Sequence, residues 1–366
     1  MNAFSEADQW SFFQTVDEGF ARASNATGLL LKDFQIAGKR LRLRFAGEGL
    51  VQAIVPAIEH LQVDVCGAAD LTIDLFDADS TGTPLPFLAA RFVDLLKLRW
   101  WEFLEGRREI GGMNGSRIRS VFHLGPDILV LLDRQENHGI YWVEKADSIP
   151  YYERGYPLSV LFNWWLSSLG VPVVHAACIG MAQGGVLLSA RGGSGKSTTT
   201  LRCVQSGMKI VGDDYTAIDL EKGTAHSLYN TIKLKTMADV ESFPGLARQV
   251  CNLDRVGEGQ DQEKAMVFLH QHLPEGLVPS IPLRAVLVPR IVDQARTEII
   301  PAPATVAFKA LAPSTVFQLP GNAHESFRMM AQITRKWPTY EILLGSDFSR
   351  IPGTIQDFIL GVPGKP

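Results

Sequence analysis

Four cysteines in 366 residues, Cys66, Cys178, Cys203 and Cys251, are too few and too scattered for a disulfide scaffold, and no CxxC pair suggests a metal ribbon. They are expected as reduced packing residues of a cytoplasmic protein. Positive charge is also short. The net charge is −4 and no Lys/Arg-rich run occurs. Neither nucleic acid nor an anionic membrane is therefore an expected partner. No apolar stretch approaches the ~20 residues of a membrane span. The start MNAFSEADQW lacks the basic and apolar regions of a secretory signal, so none is expected. Internal repeats are absent, which excludes a solenoid. The guanine-reading NKxD motif and the ABC signature are missing too. What remains is ordinary for a folded enzyme: 46% hydrophobic and 20% charged residues, in a chain long enough for two or three domains.

The richest segment is Gly184–Asp214, GGVLLSARGGSGKSTTTLRCVQSGMKIVGDD. Val186–Ser189 reads as a short apolar strand, and Arg191–Gly195 as a tight turn with three glycines. Lys196 and Ser197 open a helix that ends at Gly207. Met208–Val211 reads as the next strand, with Asp213 and Asp214 at its carboxyl end. That order suits a nucleoside triphosphate and its metal. Glycines let backbone N–H groups face phosphate oxygens with no Cβ in the way. A helix N-terminus adds partial positive charge. Gly192, Gly193, Ser194, Gly195, Lys196, Ser197 and Thr198 are the candidate nucleotide ligands. In G-x-x-x-x-G-K-[ST] the Lys reaches the outer phosphates and the Ser hydroxyl ligates Mg²⁺. A carboxylate from a neighbouring strand end completes the metal shell. The first glycine of that pattern is Ala190 here.

Two halves are expected. Residues 1–149 read as a mixed α/β domain for substrate presentation or assembly. Arg40–Ala46, Leu71–Phe76, Ile118–Leu124, Ile128–Asp133 and Ile140–Glu144 read as its strands, Leu50–Leu61 as a helix with a break at Pro56, and Asp77–Pro86 as a surface loop. After a linker at Asp147–Pro150, residues 150–366 hold the chemistry. Leu158–Leu169 reads as a buried helix whose Trp164 and Trp165 fill core. Val171–Ile179 reads as one strand carrying His175. Asn230–Lys235 and Leu283–Ile291 read as strands, Asp254–Lys264 as a mobile loop, and the tail from Ala304 as mostly helix before a strand at Tyr340–Leu344. Lys233, Lys264 and Arg290 are basic residues that contact phosphate or lie on the surface. His270 and His272 have no third ligand nearby and read as surface histidines.

The order of His175, SARGGSGKSTTT and KIVGDDYTAI resembles the HPr kinase/phosphorylase superfamily. It is most similar to the HPr-kinase-related serine kinases encoded beside bacterial peptide-modification genes, including lasso-peptide clusters. The resemblance runs from about Pro150 to the C-terminus. It implies an α/β fold: a P-loop kinase domain of the HPr kinase/phosphoenolpyruvate carboxykinase type behind a smaller mixed α/β domain. It also implies ATP and Mg²⁺ as cofactors, a peptide or protein serine as acceptor, and His175 either beside the transferred phosphate or polarising the acceptor. A homo-oligomer is left open. The segment with which HPr kinases grip HPr has no counterpart here, so HPr itself and phosphorolysis are not expected. Phosphoryl transfer needs charge neutralisation at the γ-phosphate and a carboxylate for the acceptor proton. Asp213 is assigned to Mg²⁺ and Asp214 to the hydroxyl, with the reverse assignment open. A small-molecule alcohol as acceptor, or an NTPase switch with none, are the alternatives.

Overall fold

Ser5 and Asp8 start the first element. Each side chain accepts from the other's backbone N–H, closing a capping box at the head of helix α1 (Glu6–Thr27). Phe12 and Phe13, then Val16, Phe20 and Ala23 at steps of about one turn, are all buried. The computed structural model describes residues 4–85, 104–105, 108–190, 193–243, 245–257, 263–319 and 323–361. The chain divides into two compact units. One holds Met1–Pro56, Gln62–Trp165 and Leu319–Gly321; the other holds Ala57–Leu61, Leu166–Gln318 and Asn322–Pro366.

The first unit is a nine-stranded mixed sheet. Its strands are β1 (Leu29–Ile36), β2 (Lys39–Ala46), β3 (Gln62–Val63), β4 (Leu71–Asp77), β5 (Leu104–Glu105), β6 (Glu109–Ile110), β7 (Ile118–His123), β8 (Ile128–Asp133) and β9 (His138–Val143). The spatial order is β3-β1-β2-β4-β9-β8-β7-β6-β5. The β2–β4 and β4–β9 pairs are parallel. On β2 the alternation is visible in the packing: Leu41, Leu43 and Phe45 are buried. Arg40 and Arg42 instead pair with the buried Asp33, and Arg44 with the buried Asp74. Helix α1 and strand β1 have no counterpart among the sequence-based expectations, which begin at Arg40. The helix expected over Leu50–Leu61 is three short turns, at Val51–Ile54, Val55–Ala57 and Glu59–Leu61, because Pro56 has no N–H to continue a ladder. The loop expected from Asp77 opens with a helical turn, Ala78–Thr81, capped by the Asp77 carboxylate.

The chain passes between the units within helix α2 (Ser159–Ser168), where Trp164 and Trp165 are buried. The second unit carries β10 (Val173–His175), β11 (Ala177–Met181), β12 (Gly184–Leu188), helix α3 (Lys196–Gln205), β13 (Lys209–Gly212), β14 (Tyr215–Asp219) and β15 (Thr224–Ser227). There follow β16 (Thr231–Leu234), β17 (Ala265–Phe268), β18 (Ser280–Ile291), β19 (Glu298–Ala302), α4 (Ala304–Gln318), α5 (Ala323–Lys336), β20 (Thr339–Leu344) and α6 (Ile351–Gly361). The main sheet runs β10-β14-β15-β18-β12-β11-β13, with β20 joining β18 to β19. Alternate residues of the central strands feed two cores. Val186, Leu188, Ala285 and Leu287 meet Leu201 and Val204 of α3 and Ile351 and Ile355 of α6. Leu187, Cys178 and Val286 meet Leu311 and Val316 of α4 and Met330 and Ile333 of α5. Helices thus cover both faces of a mixed sheet.

Val171–Ile179 is two strands where one was expected. The Ala176 N–H donates to the Val174 carbonyl at 3.0 Å, a three-residue turn centred on His175. β10 therefore pairs with β14, whereas β11 pairs with β12 and β13. The Thr216 hydroxyl donates to the Ala176 carbonyl at 2.8 Å and fixes the break.

Candidate active site

β12 delivers the chain into a turn, and the turn delivers it into α3. Gly193 and Gly195 have φ of 83° and 89°, a region that β-carbon-bearing residues avoid. At Gly195 a Cβ would also meet Leu344 Cδ1 at 2.9 Å. No side chain caps α3, whose cap position is Gly195. Its leading N–H groups, at Lys196, Ser197 and Thr198, are the kind that bind an anion. Ala190, in place of the first glycine, is buried. Gly192 lies outside the described residues.

Lys196 is buried and turns back toward the acidic turn between β13 and β14. Its ammonium reaches Asp214 Oδ1 at 2.6 Å and Asp213 Oδ1 at 3.4 Å, and also donates to the Asp213 carbonyl. Ser197, the next residue, donates its hydroxyl to Asp213 Oδ2 at 2.8 Å. His175 Nε2 stands 3.4 Å from Asp214 Oδ1. Five residues from three segments, His175, Lys196, Ser197, Asp213 and Asp214, thus share one cluster. The acidic turn is shaped by Gly212, where a Cβ would sit 2.8 Å from the Tyr215 carbonyl oxygen. In the sheet, β11 lies between β12 and β13, so the acidic turn is two strands from the strand that feeds the glycine turn.

The two carboxylates differ. Asp213 has no exposed side-chain surface, whereas Asp214 keeps 19% and His175 keeps 13%. Burial pushes the Asp213 carboxyl up, against the Lys196 charge and with the neighbouring Asp214 charge adding to the rise. Asp214 goes the other way. Burial would raise it, but Lys196 and His175 together hold it well below the usual carboxylate range. Burial pulls the Lys196 ammonium down, and the two carboxylates outweigh this and raise it.

His175 is held from behind. Its ring meets the Tyr215 ring edge to face, with centroids 5.5 Å apart and planes at 72°. Its backbone N–H donates to the Thr315 hydroxyl of α4 at 3.0 Å. Tyr215 in turn donates its hydroxyl to Gln318 Oε1 at 2.8 Å. Neither α4 residue was foreseen. Tyr215 directly follows the acidic pair, a signal that was available, but Thr315 and Gln318 lie about a hundred residues away with no motif around them. Lys233 is buried on β16, Lys264 is exposed, and Arg290 is exposed and pairs with Glu341 at 4.0 Å. His272 is exposed and His270 half-buried, and neither joins a cluster able to hold a metal among the described residues.

No family model matches the chain, and no curated protein matches it. Among solved structures, the Hpr(Ser) kinase/phosphatase from Coxiella burnetii aligns with 51% of this chain and 96% of its own, at 12% identity and a TM-score of 0.28. An overlap that loose assigns no function. The fold itself is mixed α/β with large mixed sheets, and no described helix is long and apolar enough to cross a membrane.

Proposed function

We propose that this protein is an ATP-dependent kinase that transfers the γ-phosphate to a hydroxyl, with a serine of a peptide or protein as first choice of acceptor. The observation that carries this reading is the five-residue cluster, above all the division between its two carboxylates. Asp213 is buried and bonded to Ser197, so the pair offers two hard oxygens side by side, a donor set that suits Mg²⁺. The ion, when bound, supplies charge neutralisation at the phosphate oxygens. Asp214 is at the solvent side and faces His175, where an acceptor hydroxyl can approach it.

The residues then have separate tasks. The glycine turn and the head of α3 receive the phosphates through backbone N–H groups. Lys196 moves from the carboxylates to the outer phosphates and stabilises charge there. That movement withdraws the charge that keeps Asp214 a weak base. The acceptor oxygen forms a bond to the γ-phosphorus while the bond to the β–γ bridging oxygen breaks, and Asp214 takes the hydroxyl proton. His175 steadies Asp214 on the side away from Lys196. The likeness of the His175, phosphate-loop and acidic-pair order to HPr-kinase-related serine kinases favours a peptide serine over a small alcohol.

The test is transfer of labelled γ-phosphate from Mg-ATP to a panel of serine peptides, small alcohols and water. Label on one hydroxyl, reduced at least about 10²–10³-fold in Lys196→Ala, is the expected result. Label only in free phosphate, at the same rate with every acceptor, would replace the kinase reading with an NTPase switch.

A further inference from the structure

We propose that Tyr215, anchored by Gln318, is the positioning residue that sets the rotation of the His175 ring against Asp214. The inference rests on the kinase reading for its consequence, though not for its geometry.

An imidazole is fixed by hydrogen bonds at its two nitrogens or by packing on its faces and edges. At His175 the hydrogen bonds are not enough. Nε2 is 3.4 Å from Asp214 Oδ1, a long contact. Nδ1 is buried and has no hydrogen-bond partner among the described residues. Most histidines that serve a second group have that other nitrogen held by a carboxylate or a carbonyl. Here the ring's orientation falls to packing, and the packing partner is Tyr215, directly across the β10–β14 pair. Edge-to-face contact favours one ring orientation over its flipped or rotated alternatives.

Tyr215 is itself braced at both ends. Its ring also meets Tyr229, with centroids 6.2 Å apart at 69°. Its hydroxyl reaches Gln318. Gln318 lies three residues after Thr315, so both sit on one face of the last turn of α4. Thr315 holds the His175 backbone and Gln318 holds the Tyr215 side chain. One helix end therefore fixes the backbone of the histidine and the side chain that aims it. The three-residue turn centred on His175 makes this bracing necessary, since His175 is the last residue of β10 in its ladder.

The experiment compares Tyr215→Leu, Tyr215→Phe and Gln318→Ala with the unmodified full chain. ¹⁵N-histidine NMR reads the His175 ring, with His175→Ala used to assign its signals. Mg-ATP affinity and kcat for phosphoryl transfer are measured on the same samples. Tyr215→Leu should broaden or shift the His175 ring signals and lower kcat on the order of 10²-fold, with the Mg-ATP Kd unchanged. Tyr215→Phe keeps the ring but loses the bond to Gln318, so it should match Gln318→Ala, with a loss smaller than that of Tyr215→Leu. Gln318→Ala, at an exposed position, leaves the fold intact and should give a smaller loss in the same direction. Should Tyr215→Leu not fold, the Gln318→Ala arm decides. Unchanged His175 signals and kcat in Tyr215→Leu, or in Gln318→Ala when it stands alone, would overturn the proposal. A wild-type protein that transfers phosphate to no acceptor would instead overturn the kinase reading, while the NMR arm still decides whether Tyr215 aims His175.

Discussion

Asp213 and Asp214 are adjacent and chemically identical, yet their surroundings drive their proton affinities apart. Asp213 is sealed in with Ser197, and Asp214 lies between Lys196 and His175 at the solvent side. Their substitutions should therefore fail differently. Asp213→Asn should weaken Mg²⁺ binding first, seen as a raised Mg²⁺ requirement in nucleotide titrations. Asp214→Asn should retain Mg-ATP binding and lose transfer, seen as a normal Kd with kcat down by about 10²–10⁴-fold. Two mutants that both bind Mg-ATP and turn over normally would remove both assignments. At this scale much was readable from the sequence, because Lys196 and Asp213 are only 17 positions apart and a strand–turn–helix–strand unit leaves few ways to arrange them. Which aspartate is sealed and which is open was not readable. It depends on His175 and on helix α3, which arrive from other segments.

At the scale of elements, the acidic turn depends on a glycine outside the phosphate-binding pattern. A Cβ at Gly212 would press on the Tyr215 carbonyl at 2.8 Å, and backbone there cannot move without shifting Asp213 and Asp214. Gly212→Ala should lower transfer activity and Mg-ATP affinity together, while far-UV circular dichroism remains native. Unchanged kinetics would show that the turn relaxes at no cost. The strands read from alternation and apolar runs are present within a residue or two at Lys39–Ala46, Leu71–Asp77 and Ile128–Asp133. The single strand over Val171–Ile179 failed because periodicity reports burial and not pairing. Both of its halves are apolar and buried, and only the partner strands reveal that they belong to different ladders. Helix α1 was missed for another reason. Its buried positions, Phe12, Phe13, Val16 and Phe20, are interleaved with small and polar residues, so the stripe emerges only when the sheet that receives it is known.

At the scale of the whole molecule, the buried His123 and the half-buried His60 lower stability in acid. Burial, with Arg108 beside it, pushes His123 down to about 3. Burial, with His270 beside it, pushes His60 down to about 3. In the unfolded chain both protonate near 6.5. Between those values the unfolded state binds more protons, so stability is full above about 6.5 and falls as pH drops toward 3. Each histidine contributes about 1.4 kcal/mol per pH unit in that window. Urea unfolding midpoints should therefore decline from pH 7 to pH 5, and His123→Gln should make the decline shallower in the transition of the first unit. A pH-independent midpoint over that range would mean the histidines are protonated in the folded state. The same scale explains residues 57–61. They belong to the second unit, where the Asn230 N–H donates to the Ala57 carbonyl and His60 Nε2 lies 2.7 Å from the Ser227 hydroxyl. No local pattern marks a five-residue excursion of that kind.

The sequence by itself determined the local chemistry: a glycine turn before a helix headed by Lys196 and Ser197, and an acidic pair at a strand end. Those choices are made by backbone conformations and spacings within about thirty residues. Tertiary structure alone decided that His175 faces Asp214, that Asp213 is the sealed carboxylate, and that α4 braces the site through Thr315 and Gln318. Such contacts form between segments up to 140 positions apart. Their partners are selected by sheet order and helix packing, and no short window of sequence records either.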